Sequence, residues 1–379
     1  MRIGIDARFY GKFGKGLGRY TQQLIRYLEK KDTENEYFIF LREQNFSEYE
    51  PQNEHFQKVL ADVPWYGFQE QIIMPKILRK YQLHLVHFPH FNVPLFYRGN
   101  FVVTLHDLIL LRHSTRENSN LPFFLYAFKF YAYKYILHSC LKRASHILTV
   151  SEFSKNDILK KYPFLSSKKI TVAYQPFFAL YKKEKEIDFE YSKKIIEYGI
   201  LKPYLLYVGN AYPHKNLFRL VQSFLMIQRN DICLVLVGKE DDFYKKLYKE
   251  FSEAVKEKKV IFTGEVEDEM LDVLYRNAQA FVFASLYEGF GLPPLEAMSR
   301  GIPVLSSRLS AMPEIQGNAP FYCNVLDEVS LGKGMQIILD NEYIRGRCIR
   351  RGYDRVKRYT WKKFIEKTHQ VYCHALEKK

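Results

Sequence analysis

Ser285-Leu286-Tyr287-Glu288-Gly289-Phe290-Gly291-Leu292-Pro293-Pro294-Leu295-Glu296-Ala297-Met298 follows directly on the apolar run 280–284, and it reads as a strand leaving a sheet, a glycine-rich turn and a helix start. Two consecutive prolines suit the first helical turn, where a missing N–H costs nothing. They also fix which backbone donors can face an incoming anion: those of Gly289, Phe290, Gly291 and Leu292. Glycines let such a turn approach a phosphate closely, and the helix start adds partial positive charge. Glu288 stands before the helix and Glu296 about one turn inside it, so the two carboxylates reach different parts of one bound molecule. Carboxylates accept paired hydroxyl hydrogen bonds, which suits sugars and ribose. A capped helix with two solvated acids is the plainer reading of the same residues.

Working outward, short apolar runs alternate twice with amphipathic stretches, the pattern of parallel sheets covered by helices on both faces. Strands are expected at 2–7, 83–88, 101–105, 146–150 and 170–174, and again at 204–208, 232–237, 260–263, 280–284 and 303–306. Helices are expected at 17–29, with Leu17, Tyr20, Leu24 and Leu28 on one face, and at 360–376. The charged stretch 182–200 reads as a linker between a first domain, 1–181, and a second, 201–359; helix 360–379 is a candidate addition to the first domain.

Other strand ends carry chemistry too. In Tyr207-Val208-Gly209-Asn210-Ala211-Tyr212-Pro213-His214-Lys215-Asn216, Lys215 sits near a helix start, where its charge opposes the dipole unless an anion lies beside it. Gly238-Lys239 and Gly264-Glu265 follow two further strands and give a weaker signal of the same kind. The opening strand leads into Gly11, Gly14, Gly16 and Gly18 at the start of a helix, a loop able to cradle an anion. It lacks the third glycine of the dinucleotide fingerprint, so no nicotinamide cofactor is inferred. His106-Asp107 follows the strand 101–105. His84, His87 and His90 resemble ligand spacing, but strand alternation turns the first two to opposite faces, and no metal is assigned there. Asp241-Asp242 falls at a helix start and not after a strand, so a metal-nucleotide aspartate pair is missing and no metal is expected.

Lys plus Arg (57) exceed Asp plus Glu (42), a formal charge of +15 that favours an anionic partner. No zinc-finger spacing or aromatic RNA-binding signature accompanies it, so nucleic acid is not the expected partner. The five cysteines are scattered, and the first residues lack a signal-peptide pattern. Cytoplasmic location with no spanning helix is the expectation. The stretch 121–143, dense in Phe and Tyr with Lys129, Lys134, Lys142 and Arg143, reads either as an interfacial helix on an anionic membrane surface or as a half-buried helix of the first domain.

The run Glu-Gly-Phe-Gly-Leu-Pro-Pro-Leu-Glu-Ala-Met, with Glu288 and Glu296 separated by seven residues and Gly301-Ile302-Pro303-Val304 behind them, resembles the family 4 glycosyltransferases. The resemblance covers the second half well and the first half thinly. It implies an α/β chain of the GT-B fold, with two Rossmann-like domains whose parallel sheets face a central cleft. It implies a retaining, metal-independent transferase with no cofactor, taking a nucleotide-sugar donor and a saccharide or lipid-linked acceptor. By resemblance Glu288 and His106 face the donor sugar as catalytic candidates. Glu296 holds the ribose; Phe290, Gly291, Leu292 and Lys215 hold the diphosphate; Gly16 and Gly18 lie beside it. Asn210 departs from the family, which commonly has Arg there. The motif is most similar to bacterial mannosyltransferases of surface-polysaccharide synthesis, which makes GDP-mannose the leading donor. UDP-glucose or a related UDP-sugar is the alternative, and a non-catalytic sugar-nucleotide-binding protein of the same fold is the rival that Asn210 favours.

Overall fold

A computed structural model describes residues 1–11, 14–113, 123–176 and 188–377. The chain folds as two units, Met1–Gln175 with Trp361–Lys379, and Pro176–Thr360. In the first, seven strands run parallel: β1 (Arg2–Asp6), β2 (Glu36–Leu41), β3 (Phe56–Leu60), β4 (Leu85–Phe88), β5 (Phe101–Thr104), β6 (His146–Thr149) and β7 (Ile170–Val172). Their spatial order is β3-β2-β1-β4-β5-β6-β7. The second unit repeats the scheme with β8 (Tyr204–Val208), β9 (Cys233–Val237), β10 (Val260–Gly264), β11 (Ala280–Phe283), β12 (Val304–Ser307) and β13 (Phe321–Cys323), all parallel, in the order β10-β9-β8-β11-β12-β13. In each sheet the order reverses beside the first strand, between β1 and β4 and between β8 and β11. Open parallel sheets bind ligands at the carboxyl ends of the strands flanking such a switch point.

The central strands are continuous apolar runs because helices cover both faces. Every residue of β5 and β9 is buried. Helix Lys15–Lys31 lays Tyr20, Leu24 and Leu28 on the first sheet and ends in Lys30 and Lys31, which complement its dipole. The last helix, Trp361–Glu377, completes that layer: Phe364, Ile365, Val371, Tyr372 and Ala375 share a core with Ile3, Ile5 and Leu24.

The pattern reading misses β2, β3 and β13. Tyr37 to Leu41 form one unbroken apolar run, which periodicity alone cannot assign to strand or helix. β3 and β13 are edge strands: β3 carries Gln57 and Lys58, and the three residues of β13 are only partly buried. Of the expected linker, 182–187 lies outside the described residues, while Asp188–Glu197 is a helix that packs against helix Asp268–Asn277 within the second unit. That part of the expected linker is therefore folded. The aromatic stretch forms helix Phe123–Arg143; residues 121 and 122 lie outside the described residues. Among the described residues no helix is long and apolar enough to cross a membrane.

Candidate functional site

In the second unit the connections after β8 and β11 leave from neighbouring strands at the switch point, and the Leu286 N–H donates to the His214 carbonyl at 2.7 Å, tying one to the other. This brings Lys215 Nζ to 2.5 Å from Glu288 Oε1. Their side chains are 15% and 9% exposed, so the pair is shielded and its charge-assisted hydrogen bond gains strength. The anion that Lys215 requires near a helix start is thus supplied by the chain itself. Asn216 turns the backbone through the left-handed region (φ 63°) into helix Leu217–Met226, and its Nδ2 donates to the carbonyls of Ala284 (3.3 Å) and Val325 (2.9 Å). On the other side the Glu288 N–H donates to Ser310 Oγ at 2.9 Å, fixing the glutamate's backbone independently of its carboxylate.

Helix Leu292–Ser299 begins where the prolines place it, with Gly291 as its N-cap at φ 84°. That left-handed backbone is what requires glycine; a Cβ there would meet only the flexible end of the Met312 side chain, Cε at 2.7 Å. Phe290 is buried, its ring edge-on to Tyr359 at 5.4 Å, which anchors the turn in the core. Glu296 is held by a partner that sequence reasoning misses: the hydroxyl of fully buried Tyr275 donates to its Oε2 at 3.0 Å. Burial, and next the Glu296 charge, push the Tyr275 hydroxyl well above its usual range, so it stays a donor. Arg300 backs the arrangement, pairing with Asp272 at 2.6 Å and donating to the Glu296 carbonyl at 2.9 Å.

Two further tyrosines set the backbone around Asn210. Tyr207 donates to the Asn210 carbonyl at 2.8 Å and Tyr244 to the Gly209 carbonyl at 2.7 Å. Tyr244 also lines a cavity of about 290 Å³ with Gly238, Phe262 and Gly264, beside the two glycine loops that the sequence marks. Asp241 caps helix Asp242–Glu250 by accepting from the N–H groups of Phe243 and Tyr244. Nothing in the sequence singles these tyrosines out, since the chain has 29.

Gly16, Gly18 and His106 belong to the first unit. The two glycines differ. A Cβ on Gly18 would lie 2.1 Å from the Gly11 carbonyl oxygen, so Gly18 lets the helix start pack on the loop before it, whereas Gly16 faces open space. His106 Nε2 lies 3.1 Å from the Pro89 carbonyl and must be the donor, because a carbonyl only accepts. Burial pushes its pKa down to about 4, so the ring is neutral near pH 7. Tyr20, one turn beyond the glycines, sets its ring edge-on to His106 at 4.7 Å. Of the other histidines, His84 accepts from the Arg2 N–H, and His87 lies fully buried between Thr104 and Tyr372.

Comparison with known proteins finds two family models on this chain. "Glycosyltransferase Family 4" matches residues 14–177 and "Glycosyl transferases group 1" matches residues 192–355. Among curated relatives, O-antigen chain mannosyltransferase B of Escherichia coli is 28% identical over 78% of this chain and 75% of its own length. O-antigen chain mannosyltransferase RfbU of Salmonella typhimurium is 29% identical over 72% and 69%. Among solved structures, a sucrose-phosphate synthase from Thermosynechococcus elongatus superposes with a TM-score of 0.74 over the full length of both chains at 17% identity, a likeness of fold.

Proposed function

Because the chain belongs to the glycosyltransferases, its first half to family 4 and its second to group 1, and has their GT-B fold of two parallel α/β sheets, we propose that the loops after β8 and β11 hold a nucleotide diphosphate sugar whose hexose passes, with retention, to a saccharide or lipid-linked acceptor. Mannose from GDP-mannose is the proposed donor, supported by the mannosyltransferase relatives. The observation that carries the reading is the Lys215–Glu288 pair at the start of helix Leu292–Ser299, on the switch point of the second sheet.

In this reading the leaving diphosphate draws its stabilisation from Lys215 and from backbone N–H groups at 290–292, aimed where negative charge develops as the glycosidic C–O bond breaks. No metal is needed in that role. Glu288 turns to the sugar, and Glu296, steadied by Tyr275, accepts from the ribose hydroxyls. Neutral His106 offers a ring nitrogen to a sugar hydroxyl. The acceptor hydroxyl passes its proton to the departing phosphate oxygen on the same face, which yields retention. Cytoplasmic action, peripheral to the inner membrane face, accords with five free cysteines.

A thermal-shift panel of GDP, UDP, ADP and dTDP, each with and without magnesium, tests this, since a ligand of the folded state raises its melting point. GDP is expected to give the largest shift, with magnesium adding nothing. A preference for UDP would move the donor to UDP-glucose or a related sugar. Asn210, neutral where relatives of the motif commonly carry Arg, favours a second reading, a sugar-nucleotide-binding protein without turnover. Mannose release from GDP-mannose in the presence of acceptor decides against it.

A further inference from the structure

A cavity of about 810 Å³ opens in the first unit, between the start of helix Phe68–Lys80, the β4–β5 connection and helix Phe123–Arg143. That is a size typical of ligand pockets, roughly 300–1,000 Å³. Its walls are mostly hydrocarbon and aromatic, Phe91, Leu95, Leu110, Tyr133 and Ile136 among them. Two of its polar residues are engaged internally: Gln71 Oε1 accepts from the Leu95 N–H at 2.7 Å, and Asn92 donates to buried Glu70. Among the described residues no Asp or Glu lines the cavity, and Lys129 brings a positive charge to it.

The helix that forms one wall also carries exposed rings, one of which, Phe128, lines the cavity as well. Phe124, Phe128, Tyr131 and Tyr135 are 68%, 72%, 68% and 66% exposed, and their spacing of four, three and four residues draws one aromatic stripe along the surface. Across its length this helix has Lys129, Lys134, Lys142 and Arg143 and no acidic residue. Lys134 stands over the Phe130 ring at 4.2 Å. Exposed aromatic rings beside cations on a helix that carries no acidic residue match the boundary of an anionic lipid surface. A second copy docked by two-fold symmetry would instead set this positive helix against itself.

We propose that this cavity holds the hydrocarbon chain of a phosphorylated amphiphile, with the anionic head at Lys129 and the aromatic stripe at the mouth. The proposal does not rest on the donor site, which lies in the other unit, and nucleotide binding reports on that site separately. The chain could come from a single-chain carrier phosphate or from a bilayer phospholipid, and the test separates them.

Binding of octyl, decyl and dodecyl phosphate, each below its critical micelle concentration, is measured by calorimetry on the full chain. Each pair of added methylenes is expected to tighten binding about tenfold, from roughly 0.8 kcal/mol per buried methylene. Ala132→Trp, which fills the cavity, abolishes this binding while the GDP thermal shift is unchanged; Ile136→Trp is the second variant should the first fail to fold. Lys129→Gln weakens the alkyl phosphates but not an alkyl glucoside of equal chain length. Sedimentation with phosphatidylglycerol vesicles gives the source: persistence in Ala132→Trp assigns the cavity to the carrier phosphate, and joint loss assigns it to the bilayer lipid. Equal binding of inorganic phosphate and dodecyl phosphate, or undiminished alkyl phosphate binding in both filled variants, overturns the proposal.

Discussion

Replacing Glu288 by Gln is expected to tighten the binding of the bare nucleoside diphosphate while abolishing sugar transfer. The Glu288 carboxylate holds Lys215 at 2.5 Å, so an incoming diphosphate has to share that cation with a charge of its own sign. A phosphate oxygen in hydrogen-bond reach of the same Nζ lies about 4.5 Å from the carboxylate, where like charges repel by about 3–4 kcal/mol at an effective dielectric constant near 20. Solvent entering the open site, and the attraction of Lys215 for both anions, reduce the net effect to about 1–2 kcal/mol, or roughly five- to thirtyfold in Kd. Glutamine keeps the shape, and the backbone stays fixed by the Glu288 N–H to Ser310 bond. Calorimetric titration of the diphosphate selected by the thermal-shift panel, run beside the phosphate-free nucleoside, isolates the effect. Lys215→Met is expected to weaken the diphosphate, and Glu288→Gln added to it to recover only part of the loss. Equal or weaker diphosphate binding by Glu288→Gln alone would refute the idea that pair and diphosphate compete for one cation.

Tyr275→Phe removes a donor to a charged oxygen, worth about 1.5–3 kcal/mol, and is expected to raise the nucleotide Kd by roughly ten- to a hundredfold with kcat at saturation nearly unchanged; an unaltered Kd would show that Glu296 does not hold the nucleotide. Gly18→Ala forces a methyl group toward the Gly11 carbonyl and is expected to destabilise the first unit by about 1–3 kcal/mol, whereas Gly16→Ala leaves its melting point unchanged, so lost transfer in the latter alone marks a ligand contact. Acid is expected to loosen the first unit through His87, which burial, and next the His106 charge, push down to about 3. The unfolded chain takes up this proton near pH 6.5 and the folded chain only near 3, so stability falls as pH drops through that window, by about 1.4 kcal/mol per unit. Melting points from pH 7 to 4.5 should decline less steeply in His87→Gln, and parallel slopes would exclude this histidine as the cause.

The sequence makes the two-lobed α/β architecture legible because buried parallel strands announce themselves as apolar runs ending in glycine. It makes the turn at 288–296 legible because a glycine pair and a proline pair have few other uses together at a strand end. The reading loses the edge strands β3 and β13, which are polar or short where one side of the strand has no partner. It also cannot tell Gly16 from Gly18, since close approach of a backbone is a property of the fold and leaves no mark in spacing.

What the sequence conceals most completely is the support behind the site. Tyr207, Tyr244 and Tyr275 come from a strand and two different helices, and each spends its buried hydroxyl on a segment that follows a strand at the switch point: one on Asn210 and one on Gly209 in the loop after β8, one on Glu296 in helix Leu292–Ser299. Burial raises the pKa of all three, keeping them protonated donors across any working pH. Such donors hold a loop without adding charge beside a bound anion, which a lysine or arginine in their place would do. The cation at this site is instead concentrated in Lys215, whose place is set by a carboxylate from the neighbouring loop. The pair explains how a lysine is tolerated near a helix start before any ligand arrives, and it makes Glu288 answer to two demands, positioning the cation and facing the sugar. Separating the two is what Glu288→Gln does: the shape stays, the charge goes, and binding and transfer are expected to move in opposite directions.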